Sequence, residues 1–185
     1  MNRTVAARWQ DWSGEGLEHL VLRESADGVI AESVLLSPAG AEALAATYRI
    51  LCDEQWRVRR VQVSLVGEDR SLELSSDGAG NWNDRSGTPL PEFAGAIDVD
   101  LTATPFTNTL PIRRLGLRSG QSETVRVVYV RFPDLTVTIE RQRYTCLEPG
   151  RRYRFESVGS DFIREIDVDD DGLVLTYPGL FRRVL

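Results

Sequence analysis

The stretch from residue 97 to residue 115, IDVDLTATPFTNTLPIRRL, holds the densest group of polar side chains among apolar ones. Asp98 and Asp100 alternate with apolar residues, as residues on one face of a strand do. Arg113 and Arg114 stand near its end. Between them lie the hydroxyl and amide side chains of Thr102, Thr104, Thr107, Asn108 and Thr109. Carboxylates accept hydrogen bonds from sugar hydroxyls, and guanidinium groups donate to oxygen atoms or phosphate, so this set could bind a polyhydroxylated ligand.

The same residues have two other interpretations. Asp–Arg ion pairs and threonine or asparagine caps could simply fix a turn, and spacing alone favours this structural role. Asp98 and Asp100 could also be the acid and base of a hydrolase, because residues two apart on a strand have Cα atoms roughly 6–7 Å apart. Any solvent-facing strand offers the same spacing, so the pair does not by itself identify an enzyme.

Arg141 and Arg143 give a second indication of a cavity. They continue the face of Leu135, Val137 and Ile139, which therefore changes from apolar to cationic along one predicted strand. A cavity with an apolar floor and a cationic mouth would show this pattern. An ordinary strand that leaves the core would show it too.

Residue types exclude most catalytic constellations. His19 is the single histidine, so a zinc site with several histidine ligands is impossible, and there is no CxxC motif. All 22 basic residues are arginines, which excludes Schiff-base lysines and the P-loop lysine. GLRSG misplaces the serine of a nucleophile elbow, and GEGLEH leads into a strand instead of a helix. His19 could form a dyad with Cys52, but a hydrogen-bonded strand residue is the simpler interpretation. We expect a protein that is not an enzyme and has no cofactor.

The acidic run DVDDDG resembles the first half of an EF-hand loop. It puts Asp167, Asp169, Asp171 and Gly172 at the first, third, fifth and sixth positions of such a loop. The twelfth position should supply a bidentate glutamate but is Pro178, and the flanking residues alternate as strands. The pattern favours an acidic β-turn over a calcium site, and no metal site is predicted.

Strands must position most of these residues. Apolar and polar side chains alternate over 61–65, 125–129, 135–140 and 152–156, with shorter runs at 72–74, 166–168 and 173–175. Between the runs stand pairs that are typical of tight turns, namely Asp27-Gly28, Asp77-Gly78, Pro133-Asp134, Pro149-Gly150 and Asp171-Gly172. This order predicts an all-β fold of mostly antiparallel strands.

Residues 37–55 are ambiguous between helix and strand. Their alanines favour helix, with Ser37 and Pro38 as a candidate cap and first turn. Tyr48, Ile50 and Cys52 alternate, however. We predict a loop followed by a strand through Cys52.

The segment TNTLPIRRLGL predicts one or two helical turns. Thr107 or Asn108 could cap them, and Gly116 could end them. Residues 84–96 are loop-like but too short to separate domains. With no linker elsewhere, we expect residues 1–185 to form one domain.

Composition limits the partners. The chain has 185 residues, enough for a sizeable core, and its net charge of −6 argues against nucleic acid. No stretch approaches ~18 uncharged apolar residues, so no segment is expected to span a membrane. MNRTVAARWQDW lacks the apolar region of a signal peptide, and Cys52 and Cys146 are expected to be buried reduced thiols. We therefore expect a cytoplasmic protein.

Several strings resemble a bacterial family described as putative glycolipid-binding proteins, formerly a domain of unknown function. They are GLEHL, CDEQW, DGAGNW, DVDLTATPFTNTLPIRRL and GLVLTYPGLFRRV, and they extend over nearly the whole chain. The resemblance implies a long antiparallel sheet rolled into a spiral β-roll or half-barrel, with at most one or two short helices. It is similar to the half-barrels of lipoprotein carriers, which hold acyl chains. The ligand-binding positions it implies are Asp98, Asp100, Thr104, Phe106, Thr107, Asn108, Arg113, Arg114, His19, Trp56 and Tyr177.

The leading hypothesis is a non-catalytic protein that binds a glycolipid or another amphiphile. The acyl part would lie in the concave apolar face, with the head group near residues 98–114. The alternative is a structural or protein-interaction module, monomeric or homodimeric, whose concave face is filled by its own side chains. An unrecognised hydrolase is a third hypothesis. A cavity of roughly a few hundred Å³ would favour binding, and a solid core would favour the module.

Overall fold

The structure is a computed structural model that describes residues 2–37 and 44–185. Its strands are β1 (Arg3–Asp11), β2 (Leu17–Ser25), β3 (Gly28–Leu36), β4 (Ala45–Cys52), β5 (Val58–Leu65), β6 (Ser71–Ser76), β7 (Trp82–Asp84), β8 (Asp98–Leu101), β9 (Ser122–Val130), β10 (Val137–Glu148), β11 (Arg152–Ser157), β12 (Ile163–Val168), β13 (Val174–Tyr177) and β14 (Phe181–Arg183). One α-helix, α1 (Thr109–Leu115), and two 3-10 turns, Pro91–Phe93 and Phe106–Asn108, are the other regular elements of the described residues.

All of these strands belong to one sheet. Its order is β7-β6-β5-β4-β3-β2-β1-β14-β13-β12-β11-β10-β9-β8. Neighbouring strands are antiparallel except β8 and β9, which are parallel. The sheet does not close into a barrel. The expected all-β fold, with a long rolled sheet and few short helices, is confirmed.

Turn chemistry sets where the sheet reverses. Asp77-Gly78, Pro149-Gly150 and Asp171-Gly172 each lie between two paired strands, as predicted. In the first of these turns the Asp77 carboxylate accepts hydrogen bonds from the backbone amides of Ala79 and Asn81. These bonds satisfy amides that the strands leave unpaired, which explains why aspartate suits this position.

The β2–β3 and β9–β10 turns differ slightly from the prediction. Ser25 pairs with Gly28, so the two turn residues are Ala26 and Asp27, and Gly28 already belongs to β3. Leu135 lies in the turn before β10 with a positive φ of 55° and is not a strand residue. Leu135 is part of the turn because the hydrogen bond that closes the turn runs from the Arg131 amide to the carbonyl of Thr136, one residue after Leu135.

The two faces of β9 show how the sheet rolls. Val128 and Val130 belong to a core built with β1–β7, whereas Val125 and Val127 belong to a second core built with β10–β13. Both faces of β9 are therefore covered by protein. The end of the sheet that holds β8 and β9 lies inside the roll, so the sheet forms a spiral.

The first core fills most of the concave side of β1–β7. Trp9 and Trp82 are buried there against Phe106 and Leu110, which the 3-10 turn and α1 supply. The Trp82 indole donates a 2.7 Å hydrogen bond to the Ala96 carbonyl, which ties the β7 edge to the segment before β8. This part of the roll is occupied by the protein's own side chains.

In residues 37–55, which were ambiguous between helix and strand, the described part forms the predicted strand. β4 extends through Cys52, and Tyr48, Ile50 and Cys52 are buried on one face. Pro38, the candidate first helical residue, lies outside the described residues. Cys52 and Cys146 are both buried free thiols, which confirms that expectation.

α1 ends as predicted and begins differently. Gly116 has the left-handed conformation that commonly ends a helix. Asn108 holds the N-cap position, one of the two predicted, but its side chain makes no capping hydrogen bond, because a 3-10 turn leads into the helix. The Thr107 hydroxyl donates instead to Asp100, and the Asn108 amide donates to the Pro105 carbonyl. In the described part of the chain, no helix has the length and apolar character needed to cross a bilayer.

Gly28 provides a test of this packing. Its φ is 127°, and a Cβ at this position would overlap the Cys52 carbonyl oxygen of β4. We expect Gly28→Ala to lower the free energy of unfolding by about 3 kcal/mol, since backbone strain and overpacking add. Gly87→Ala is the matched control, because its φ is also positive, 85°, but no atom lies within 4 Å of the added Cβ. The control should cost about 1 kcal/mol in a urea titration. Equal losses in the two variants would contradict the close contact.

Candidate functional site

A cavity of about 510 Å³ lies on the concave side of the second half of the sheet. We call it the main cavity. β8, β9 and β10 form one wall, and β11, β13 and β14 with the turns between them form the other. The volume lies in the range of roughly 300–1,000 Å³ that small-molecule sites occupy.

One wall of the main cavity is aromatic. It consists of Phe155, Phe162, Tyr177 and Phe181. Tyr177 is in the middle, with ring centroids 6.1 Å from Phe155, 6.4 Å from Phe162 and 6.5 Å from Phe181. The rings are tilted relative to one another, an arrangement that aromatic side chains prefer and that holds each ring in place.

The opposite wall is polar, with Asp100 of β8 at its centre. The Thr107 hydroxyl donates to Asp100 Oδ1 over 2.8 Å, and the Gln142 amide donates to Oδ2 over 2.6 Å. The Tyr144 hydroxyl donates to Asn108 Oδ1 over 3.0 Å. Burial raises the pKa of Asp100, and the bonds from Gln142 and Thr107 oppose that rise. The network therefore holds the carboxyl group rigidly at the cavity wall.

Three further polar side chains line the main cavity without such a network. They are Tyr129 of β9, Arg131 just after β9 and Glu140 of β10. Within residues 2–37 and 44–185, none of the three side chains makes a hydrogen bond to protein. Burial raises the pKa of Tyr129, so its hydroxyl stays protonated and can donate. An acceptor, a cationic donor and a hydroxyl are thus available to a ligand.

Asp98 is close to Asp100 in sequence but has a different role. It is fully buried, and both of its oxygens accept from Arg114 of α1, over 3.0 Å and 2.6 Å. Burial raises the pKa of Asp98, while the hydrogen bonds and charge of Arg114 lower it. Asp98 does not line the main cavity, so the two carboxylates of the hydrolase hypothesis do not share one site.

Arg113 also lies away from the main cavity. Its guanidinium group stacks 4.5 Å above the Trp56 ring, pairs with Glu24 at 3.1 Å and donates to the Asp171 carbonyl over 2.9 Å. The structure therefore does not bring Arg113, Arg114 and Trp56 to the place where Asp100 and Asn108 line the cavity. Residues of a single short helix point in different directions, and sequence spacing does not show that both arginines face away from the main cavity.

The other predicted site residues divide in the same way. Thr104 and Tyr177 line the main cavity with Asp100 and Asn108. Phe106 is fully buried in the first core, and Thr107 stands behind Asp100 as its hydrogen-bond donor.

His19 lies on the outer face of β2. Its Nδ1 accepts from the Arg8 guanidinium at 3.2 Å. Arg141 and Arg143 are exposed on β10, so this cationic face runs into solvent and does not form a cavity mouth.

Sequence reasoning missed most of the aromatic wall. Phe155 was only one residue of an alternating strand, and Phe162 stands in a turn, where no periodic pattern marks it. Phe181 belongs to the YPGLF string, which gave the one available signal. No sequence pattern marks Gln142 as a site residue, because it lies on the face of β10 opposite Arg141 and Arg143.

The acidic turn is neutralised by arginines. Asp167 pairs with Arg152 at 2.7 Å, Asp169 pairs with Arg183, and Asp171 pairs with Arg3. The Asp169 carboxylate also accepts from the Asp171 and Leu173 amides, which closes the turn. Over the described residues, no group of three or more His, Cys, Asp or Glu side chains is placed to hold a metal ion.

Comparison with known proteins gives a family and a similar structure. The family described as "Putative glycolipid-binding" matches residues 6–183. A crystal structure of a DUF1089 family protein from Pseudomonas aeruginosa is similar, with 39% identity, a TM-score of 0.81 and coverage of 92% of each chain. No protein of curated function matches the sequence.

The Asp98–Arg114 pair gives a prediction about stability. We expect Arg114→Met to lower the free energy of unfolding by about 3–5 kcal/mol, because it leaves a buried carboxylate without its partner. The double variant Asp98→Leu with Arg114→Met should recover much of that loss, since no buried charge remains. Denaturant titration of the three proteins measures both effects. A double variant less stable than Arg114→Met would show that the pair has another role.

Proposed function

The chain belongs to the putative glycolipid-binding family, and from that membership and the main cavity we propose that it binds a glycolipid or a related amphiphile without transforming it. The observation that carries the proposal is the contrast between the two walls of the main cavity. One wall is aromatic and the other is polar. An amphiphile has the same two kinds of surface.

The polar wall suits a sugar head group. Glu140 would accept hydrogen bonds from ring hydroxyls, and Arg131 and Tyr129 would donate to ring or hydroxyl oxygens. Asp100, held by Thr107 and Gln142, adds an acceptor at a defined position. Charge-assisted hydrogen bonds are roughly twice as strong as neutral ones, so the two carboxylates dominate this recognition.

The aromatic wall suits the apolar part of the ligand. Phe155 and Tyr177 are buried, whereas Phe162 and Phe181 are half-buried and can cover a hydrocarbon segment or a sugar face. Burying roughly six methylene groups would contribute about 5 kcal/mol. The main cavity is too small for a whole long acyl chain together with a head group, so part of the chain would remain outside it.

A structural or interaction module is the second candidate. The concave side of β1–β7 is filled by residues such as Trp9, Trp82 and Phe106, which favours a scaffold role for that half. The lipid is therefore assigned to the second half of the sheet alone.

The proposal is tested with two detergents that share a dodecyl chain. n-Dodecyl-β-D-maltoside carries a sugar, and octaethylene glycol monododecyl ether does not. We expect the maltoside to bind with a Kd below ~100 μM. Glu140→Ala should weaken maltoside binding about tenfold, because a charge-assisted hydrogen bond is lost, and should leave the ether unaffected. Phe162→Ala should weaken both. Isothermal titration calorimetry below the critical micelle concentration measures these affinities, beside native mass spectrometry of freshly purified protein.

Glu148→Ala is the matched control, because Glu148 ends the same strand but is exposed and lies outside the main cavity. It should change neither affinity. If no amphiphile binds below ~100 μM, the proposal fails and the module takes its place. If Glu140→Ala weakens both detergents equally, the assignment of the sugar to this wall fails.

A further inference from the structure

A second, smaller cavity of about 160 Å³ lies beside the main cavity. We call it the small cavity. Its apolar lining includes Trp9, Leu17, Leu35, Leu36, Ala103 and Phe181. Phe181 also lines the main cavity and so stands between the two. A cavity of ~150 Å³ with an apolar lining can hold a molecule the size of benzene.

Glu18 is the most deeply buried of the three polar residues in this lining, the other two being Asp11 and Ser37. It lies on the inward face of β2 in register with Leu20 and Leu22, and its exposed fraction is 4%. The period of a strand makes this position inward-facing, so a glutamate stands where the alternation calls for an apolar residue. Acidic side chains are almost never so deeply buried without a pairing partner.

Only one oxygen of the Glu18 carboxyl group is satisfied. Oε1 accepts from the Ser33 hydroxyl at 2.8 Å and from the Tyr48 hydroxyl at 2.6 Å. Oε2 is buried and has no hydrogen-bond partner among the described residues. Cationic side chains of this half, such as Arg23 and Arg49, pair with Glu32 on the outer face of the sheet. An unpaired buried oxygen of this kind costs about 1–3 kcal/mol or more.

Burial has a measurable consequence for Glu18. It raises the pKa of this carboxyl group to about 7, and the neighbouring hydroxyl groups of Thr104, Tyr48 and Ser33 only partly oppose the rise. A hydrogen-bond donor brought into the small cavity would satisfy Oε2 and stabilise the carboxylate. A molecule that matches the small cavity would therefore have a compact apolar body and one hydrogen-bond donor.

We propose that the small cavity is a second ligand site, which takes a compact apolar group carrying one hydrogen-bond donor, a hydroxyl or a primary ammonium, with that donor bound to Oε2 of Glu18. The apolar body fills the space between Trp9, Leu35 and Phe181. This site does not depend on the proposed glycolipid site, because Phe181 is the one described residue that lines both cavities and Glu18 lines the small cavity alone.

Three probes of equal size test the proposal on the full chain. Cyclohexanol and cyclohexylamine carry a donor, and methylcyclohexane carries a methyl group in the same position. We expect at least one donor probe to bind about tenfold more tightly than methylcyclohexane, with chemical-shift changes at residues around Glu18 in an NMR titration. The alcohol and the amine distinguish the two sources of the donor.

Variants localise the binding. Glu18→Gln keeps the shape of the side chain and removes its charge, so it should abolish the preference for the amine over methylcyclohexane. Glu24→Gln is the matched control, because Glu24 also has a buried oxygen without a partner among the described residues but pairs with Arg113 away from the small cavity. It should change nothing. Phe162→Ala, in the main cavity, should also leave probe binding unchanged.

Binding of the amine should depend on pH. The ionised fraction of a group with a pKa of about 7 rises from about 0.1 at pH 6 to about 0.9 at pH 8. The amine should therefore bind several-fold more tightly at pH 8. Among the described residues, Tyr48 and Asp11 are the other titratable groups near this site. Burial keeps the pKa of Tyr48 well above its usual range, and hydrogen bonds from Ser13 and Gly16 outweigh burial and keep the pKa of Asp11 low, so neither changes charge here.

Equal affinity for all three probes would overturn the proposal, since the small cavity would then be a merely apolar space. Absence of binding by any probe would overturn it too, and would indicate that water alone satisfies Oε2. A loss of probe binding in Phe162→Ala as large as in Glu18→Gln would place the probe in the main cavity and also contradict the proposal. None of these results bears on the detergent titrations, which report on Glu140 and Phe162.

Discussion

A carboxylate that is buried in a protein must be paired, and the ion pair of Asp98 with Arg114 satisfies this requirement at the point where the sheet enters its own interior. The two faces of β9 belong to different cores and Asp98 of the neighbouring β8 is fully buried, so this carboxylate needs a partner from the protein. Arg114 reaches Asp98 only because the 3-10 turn and α1 return the chain across β8 before β9 begins. The parallel pairing of β8 with β9 follows from the same connection, since a strand followed directly by a hairpin would be antiparallel.

The rolled sheet divides the molecule into a half that is largely filled, with only the small cavity at its side, and a half with more open volume. β1–β7 enclose large side chains, among them Trp9 and Trp82, while the second half leaves a cavity between Asp100 and the ring of Tyr177. The polar network around Asp100 has two effects. It supplies hydrogen bonds to the Asp100 carboxyl group of β8, and it holds that group as a rigid acceptor at the main cavity. Such a network holds its groups in place before a ligand arrives, which reduces the ordering cost of binding.

Local pattern predicted the elements well and the site only in part. Alternation and turn residues marked most of the hairpins, and Gly116 marked the end of the one short helix. The 97–115 stretch was correctly identified as densely polar, yet its members serve different purposes: Asp98 and Arg114 hold the roll together, and Asp100 and Asn108 line the main cavity. The sequence suggests one ligand-binding role for all of these residues, because their spacing does not show that both faces of β8 are covered by protein.

The sequence by itself determined the strands, their turns and the absence of lysine and multi-histidine chemistry, because these follow from residue type and from a period of two that acts over a few residues. Only the tertiary structure decided which groups line the main cavity. Phe155, Phe162 and Phe181 come from separate strands and turns and meet only when the sheet rolls. Glu18 is a second example. The strand pattern predicts that its side chain points inward, but it does not predict which residues surround it. Its Oε2 has no partner among the described residues because Ser33 and Tyr48, which arrive from other strands, both donate to Oε1. Long-range contacts of this kind depend on the register of the whole sheet, which no short segment encodes.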